Sequence, residues 1–135
     1  MNRRVQLAFL FLIGVQATHS WEECLTRLYD VFAPARAVSG LVSADLSRGF
    51  LLLNVALVTF GFACWAGPVR SGWRTAGAAV WFWTLLEFGN GINHLGMAFW
   101  RHGYFPGVAT APLLLFAAAW LATAARRATP RAVAS

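Results

Sequence analysis

Four long apolar stretches, joined by segments with little room for a soluble domain, constrain this chain more than any other feature of its sequence. They run from Val5 to about Arg27, Gly49 to Ala66, Ala76 to Trp100 and Val108 to Ala125, with turn chemistry at Gly67-Pro68 and Pro106-Gly107. A helix of about 20 residues crosses the hydrocarbon of a bilayer, and its backbone polar groups must all be satisfied internally. The sequence therefore predicts an all-α fold. The expected architecture is a polytopic, four-transmembrane-helix bundle, one integral membrane domain over residues 1–135 with spans at about 5–27, 49–66, 76–100 and 108–125. Composition agrees, since 12% of residues are charged and 59% hydrophobic, whereas soluble domains carry about a quarter charged residues.

Charge placement excludes one function class and orients the chain. All 11 basic residues are arginine, and the formal net charge is +6. They punctuate the apolar runs and form no solvated stripe, so nucleic acid is excluded as a partner. Arg3, Arg4, Arg70, Arg74, Arg126, Arg127 and Arg131 fall on one side of the expected bundle. Arg27, Arg36, Arg48 and Arg101 fall on the other, accompanied by Asp30 and Asp45. The excess predicts that both termini face the cytoplasm. The absence of lysine and the wealth of alanine and arginine point to a bacterial source, hence an inner membrane. The lipid bilayer is the expected partner, and a homo-oligomer is compatible with the pattern without being required by it. Residues 1–17 also fit a signal peptide ending at Val15-Gln16-Ala17, whose removal would leave three spans; the uncut chain is the favoured reading. Cys24 and Cys64 fall at different depths, too far apart for a disulfide.

Ionisable residues inside apolar helices are costly, about 2.5 to 3.5 kcal/mol for an acid at a helix centre, and mark functional sites by default. His19, Glu22 and Glu23 stand at i, i+3 and i+4, one helical face. Glu87, Asn90 and His94 share a face of the third stretch, with Asn93 beside them and Asn54 in the second. Counting along each helix puts His19 and His94 at similar depths, about 9 to 12 Å below the outer ends, and Glu87 nearer 20 Å. The sequence thus predicts one polar pocket beneath the outer surface.

His19-Ser20-Trp21-Glu22-Glu23 reads H-x-x-E-E, His94 is a second intramembrane histidine, and Tyr104-Phe105-Pro106-Gly107 reads Y-x-P-G. In this order the three motifs resemble the HXXEE family of small integral membrane proteins, over most of the chain. The resemblance implies a membrane-embedded domain suspected of enzymatic activity, without an established reaction. It marks His19, Glu22, Glu23 and His94 as candidate functional residues, and Tyr104, Pro106 and Gly107 as a loop motif.

Histidine nitrogens and carboxylates suit a divalent metal, zinc or iron, with one position left open in a catalytic site. His19, Glu23, Glu87 and His94 are the candidate ligands, and His19, Glu22 and Glu23 the candidate catalytic groups. Asn54, Asn90, Asn93, Trp21 and Tyr104 are the candidate substrate contacts, with packing the simpler role for Trp21. The expected function is a metal-dependent membrane enzyme acting on a lipid or other apolar substrate. The alternative is a metal-free protein, similar in plan to the sterol isomerases or binding an apolar ligand, in which one of two crowded glutamates stays protonated and moves a proton. A purely structural reading makes the same residues buried pairs that fix helix register.

Overall fold

The computed structural model describes residues 1–128; Arg131, counted above in the charge asymmetry, and the rest of 129–135 lie outside the described residues. Six α-helices follow in order: α1 (Arg3–Leu25), α2 (Leu28–Val31), α3 (Ala33–Val42), α4 (Leu46–Cys64), α5 (Ala76–Trp100) and α6 (Ala111–Ala128). Local chemistry fixes their ends. Asn2 caps α1 by accepting from Val5 N at 3.0 Å, and Asp45 caps α4 by accepting from Arg48 N at 3.1 Å. Pro68 lacks the N–H that would extend α4 regularly, and the helix continues as a wider π turn over Trp65–Val69. Pro112 sits in the first turn of α6, where no intrahelical bond is lost.

The expectation of four membrane spans is corrected. Among the described residues one helix, α4 with its π-turn extension (Leu46–Val69, 24 residues, mean hydropathy 1.9), is long and apolar enough to cross a membrane. The polar residues that defined the expected pocket lower the apolar character of α1 and α5, which carry Gln6, Gln16, His19, Glu22 and Glu23, and Glu87, Asn90, Asn93 and His94 respectively. The 18 residues of α6 include Arg126 and Arg127 in its last turn. The segment expected to be an outer loop between the first two stretches holds α2 and α3, with α3 packed along α4.

Small residues set the packing order. α6 lies between α1 and α5 and buries Ala111, Ala117, Ala118 and Ala124 among larger neighbours, so three helices approach closely. Val5, Phe9, Leu12 and Ile13 of α1 meet Val80 and Trp83 of α5 and Leu114 and Leu121 of α6 in the main core. A second cluster gathers Leu28, Tyr29, Ala35, Phe50 and Phe105. Of the glycines in α5, Gly91 makes a close helix contact, where a Cβ would come within 2.8 Å of Leu115, whereas Gly89 and Gly96 face open space. α4 packs on α1 but scarcely touches α5, and that missing contact leaves a cleft. Large apolar side chains stay exposed on α4 (Leu51, Leu52, Val55), α5 (Phe82, Leu85, Ile92) and α6 (Leu113, Phe116).

Candidate metal centre

The H-x-x-E-E spacing works because consecutive side chains diverge by about 100° on a helix while i and i+4 align. His19 and Glu23 turn together toward α5, and Glu22 turns away. Glu23 Oε1 lies 3.0 Å from His94 Nε2 and 3.5 Å from His19 Nε2. His19, Glu23 and His94 are all buried, offer one ligand atom each within 4.8 Å of one another, and could hold a metal ion. The two rings stand edge to face with centroids 4.6 Å apart. Donors about 2.0 to 2.2 Å from one tetrahedral zinc stand about 3.3 to 3.6 Å from each other; the Glu23–His19 separation falls in that window and the Glu23–His94 separation is shorter.

Hydrogen bonds on the far side of each ring decide what the facing nitrogens carry. His94 Nδ1 lies 2.5 Å from the Pro106 carbonyl, which only accepts, so Nδ1 holds the proton. His19 Nδ1 lies 2.7 Å from Thr110 Oγ1, and that hydroxyl donates to Glu22 Oε2 at 2.6 Å. Its proton is thereby committed, so His19 Nδ1–H donates to Thr110. In the neutral rings both Nε2 atoms present lone pairs toward a carboxylate oxygen. Three potential ligand atoms converge, and His19 Nε2 is buried without a hydrogen-bond partner. A divalent cation, or protons shared between the rings and Glu23, would relieve this arrangement. The far-side bonds are those that orient metal-binding histidines generally.

Glu22 organises the loop. It accepts from Tyr104 Oη (2.6 Å), Ala109 N (3.1 Å), Thr110 N (2.9 Å) and Thr110 Oγ1. The backbone amides lie at the entrance to α6, where helix N–H groups lack partners and the dipole favours an anion. The loop then places Pro106 O under His94, and Gly107 under both rings. Gly107 has φ +90°, and a Cβ there would lie 2.6 Å from His94 Nδ1 and 2.9 Å from His19 Cε1. The H-x-x-E-E, His94 and Y-x-P-G motifs therefore meet at one place. Tyr104 is 59% exposed, yet burial, and then the hydrogen bond and charge of Glu22, raise its phenol above the usual tyrosine value.

The other expected site residues separate by position. Glu87 is buried but stands outside the His19, Glu23 and His94 group, because seven residues align it with His94 while setting it about 10 Å along the helix. Its partners are Asn90 and Gln16; with the Gln16 amide turned so that its nitrogen faces the carboxylate, it donates to Glu87 Oε2 at 2.6 Å and its oxygen accepts from Ser20 Oγ at 3.0 Å. Asn54, Asn90 and Asn93 line the cleft between α4 and α5, a cavity of about 580 Å³ that reaches Glu23. Trp21 instead borders a smaller cavity of about 260 Å³ between α1 and α4, with Cys24. Cys24 and Cys64 are both free. Glu22 and Glu23 have different partners, so they are not the crowded pair of the metal-free expectation. Sequence reasoning missed Gln16 and Thr110. Gln16, one turn before His19 in an apolar run, was visible by its spacing; Thr110, a hydroxyl at a helix entrance, carried no distinguishing signal. Comparison with protein-family models, curated proteins and solved structures finds no match for this chain.

Proposed function

We propose that the protein is a membrane-embedded, metal-dependent enzyme that acts on a lipid or other apolar substrate, with zinc or iron held by His19, Glu23 and His94. The observation that carries this reading is the buried Nε2 of His19, which lacks a partner and faces the same carboxylate oxygen as His94 Nε2. A single proton between His94 and Glu23 would satisfy that pair and leave His19 orphaned, whereas one divalent cation satisfies all three. Two histidines and a carboxylate leave coordination positions open, and Glu23 borders the α4–α5 cleft through which a substrate would reach them. A cation there would supply a Lewis acid for polarising a carbonyl or activating water. Glu22, Thr110 and Pro106 position the two rings, and Glu22 is a positioning residue in this reading.

The bilayer is supported as partner by Leu46–Val69 and by the apolar side chains exposed on α4, α5 and α6. Met1 lies beside Gly72, and a cavity joins Met1 and Asn2 to Gly77 and Ala128. The fold thus gathers Arg3, Arg4, Arg70, Arg74, Arg126 and Arg127 near one end, which we orient toward the cytoplasm of a bacterial inner membrane.

The test is elemental analysis of protein purified in mild detergent. About one equivalent of zinc or iron is expected, reduced in Glu23→Gln and His94→Ala. Metal far below one equivalent, unchanged by either substitution, would overturn the metal reading and favour a metal-free, isomerase-like or ligand-binding protein.

A further inference from the structure

We infer that the groove between α5 and α6, at the arginine-bearing end of the bundle, binds one anionic phospholipid, with an acyl chain along the groove and the phosphate on Arg126. This rests on the bilayer part of the reading above and is independent of the metal.

The groove exists because α6 presents small residues where α5 presents large ones. Ala118, Ala119 and Ala122 line one side and Trp81, Leu85 and Phe88 the other, around a volume of about 320 Å³. From Trp81 to Phe88 the helix rises about 10 Å, room for part of an acyl chain. Two hydroxyls lie along it, and both protons are spent on backbone carbonyls. Thr84 donates to Val80 O and Thr123 to Trp120 O, each at 2.8 Å. The remaining surface is apolar, and Leu85 (67% exposed) and Phe88 (43% exposed) stay uncovered.

One charge stands at the end of this surface. Arg126 lines the groove, and its guanidinium lies 5.8 Å from the centroid of the Trp81 ring, a stacking that holds the planar fork at the groove's mouth. No carboxylate answers it. The chain's five acids are Glu22, Glu23, Asp30, Asp45 and Glu87. The first four belong to the opposite end of the bundle, and Glu87 is buried at the α4–α5 cleft. Among the described residues the one arginine ion pair is Arg27 with Asp30. A guanidinium fork matches a phosphate in bidentate geometry, and basic pockets between helices on the cytoplasmic side suit anionic lipid heads. Trp81 also borders a second cavity of about 230 Å³, with Gly77 and Ala128, which leaves space for the rest of a head group.

Orienting the chain requires arginines near this end, but it does not require one seated in a groove. Arg127 supplies the comparison. It carries the same charge one residue on, turned about 100° around the helix, and it does not line the groove.

The experiment titrates the full-length protein in mild detergent with phosphatidylglycerol or phosphatidylcholine of identical chains, and native mass spectrometry reads the first lipid bound. Phosphatidylglycerol should bind about tenfold more tightly, the worth of about one hydrogen bond to a charged group. Arg126→Gln should abolish that preference and Arg127→Gln should keep most of it. Ala119→Leu, at an exposed position lining the groove, fills it without changing charge and should weaken both lipids. Inorganic phosphate in large excess should displace neither. Equal affinity for the two lipids would overturn the inference. Equal losses in the two arginine variants would do the same, by assigning the preference to a diffuse basic surface. Displacement by inorganic phosphate, or unchanged binding in Ala119→Leu, would show that no chain lies in the groove. Protein that stays monodisperse without detergent would refute the bilayer reading itself, whereas protein that needs detergent yet shows no preference refutes the groove alone.

Discussion

Replacing Gly107 by alanine tests whether the loop motif is part of the proposed metal centre or a turn beside it. The backbone there has φ +90°, which an L side chain occupies at a cost of about 1 to 2 kcal/mol. The added Cβ would stand 2.6 and 2.7 Å from two atoms of His94 and 2.9 Å from His19. Ordinary carbon contacts need about 3.5 to 4.0 Å, so both rings must retreat by roughly 1 Å. Neither can do so freely, since Pro106 holds His94 and Thr110 holds His19. Overpacking of this kind costs about 1 to 3 kcal/mol, and the two effects together come to about 2 to 5 kcal/mol. The control is Gly103→Ala in the same loop, where the nearest atom is Arg101 O at 3.9 Å. Equilibrium unfolding in detergent should show Gly107→Ala destabilised by that margin over Gly103→Ala, with metal content reduced. Two variants of equal stability and equal metal content would refute the proposed role of Gly107.

Thr110→Val removes the group that fixes the proton on His19 Nδ1, and should weaken metal binding by about 10- to 100-fold; Thr110→Ser should recover most of it, as measured by competition with a chelating dye. Chelation of bound metal should lower the unfolding temperature, since a ligand at a hundredfold its Kd contributes about 2.7 kcal/mol; an unchanged transition would mean that no bound cation supports the fold. The raised Tyr104 phenol means that its contact with Glu22 stabilises the protein fully below the ordinary tyrosine range, about pH 10, and fades as pH climbs through the raised value. Tyr104→Phe should therefore flatten the alkaline fall of stability, and identical curves for the two proteins would disprove this.

Much of the site was legible in the sequence because its signals were local. Residues at i and i+4 on one helix must share a face, so His19 and Glu23 could be paired without knowing the fold. The same counting put His19 and His94 at matching depths, and their rings do meet. Periodicity also linked Glu87 to His94 but said nothing about distance along the axis, and Glu87 falls in the cleft, outside the three-residue group. The adjacency of Glu22 and Glu23 suggested a crowded pair. One is turned to the entrance of α6 and the other to α5, a division that only the neighbouring helices reveal. Long apolar runs gave helices correctly, yet not their capacity as spans, because the buried polar residues count against α1 and α5 by composition.

The sequence by itself determined that the chain is helical, that its polar residues fall on particular helix faces, and that Pro106-Gly107 makes a turn, since helix periodicity and backbone sterics act within a few residues. The tertiary structure alone decided that α6 packs between α1 and α5, that α4 and α5 stand apart over a cleft, and that Glu22 accepts four hydrogen bonds from the loop while Glu23 faces two imidazoles. Those outcomes depend on which helix faces which, and they are set by long-range contacts between small residues such as Ala117 and Gly91 and their larger neighbours. A hydrogen bond between residues 82 positions apart, as from Tyr104 to Glu22, leaves no periodic trace in the chain, because its geometry exists only once the helices have packed.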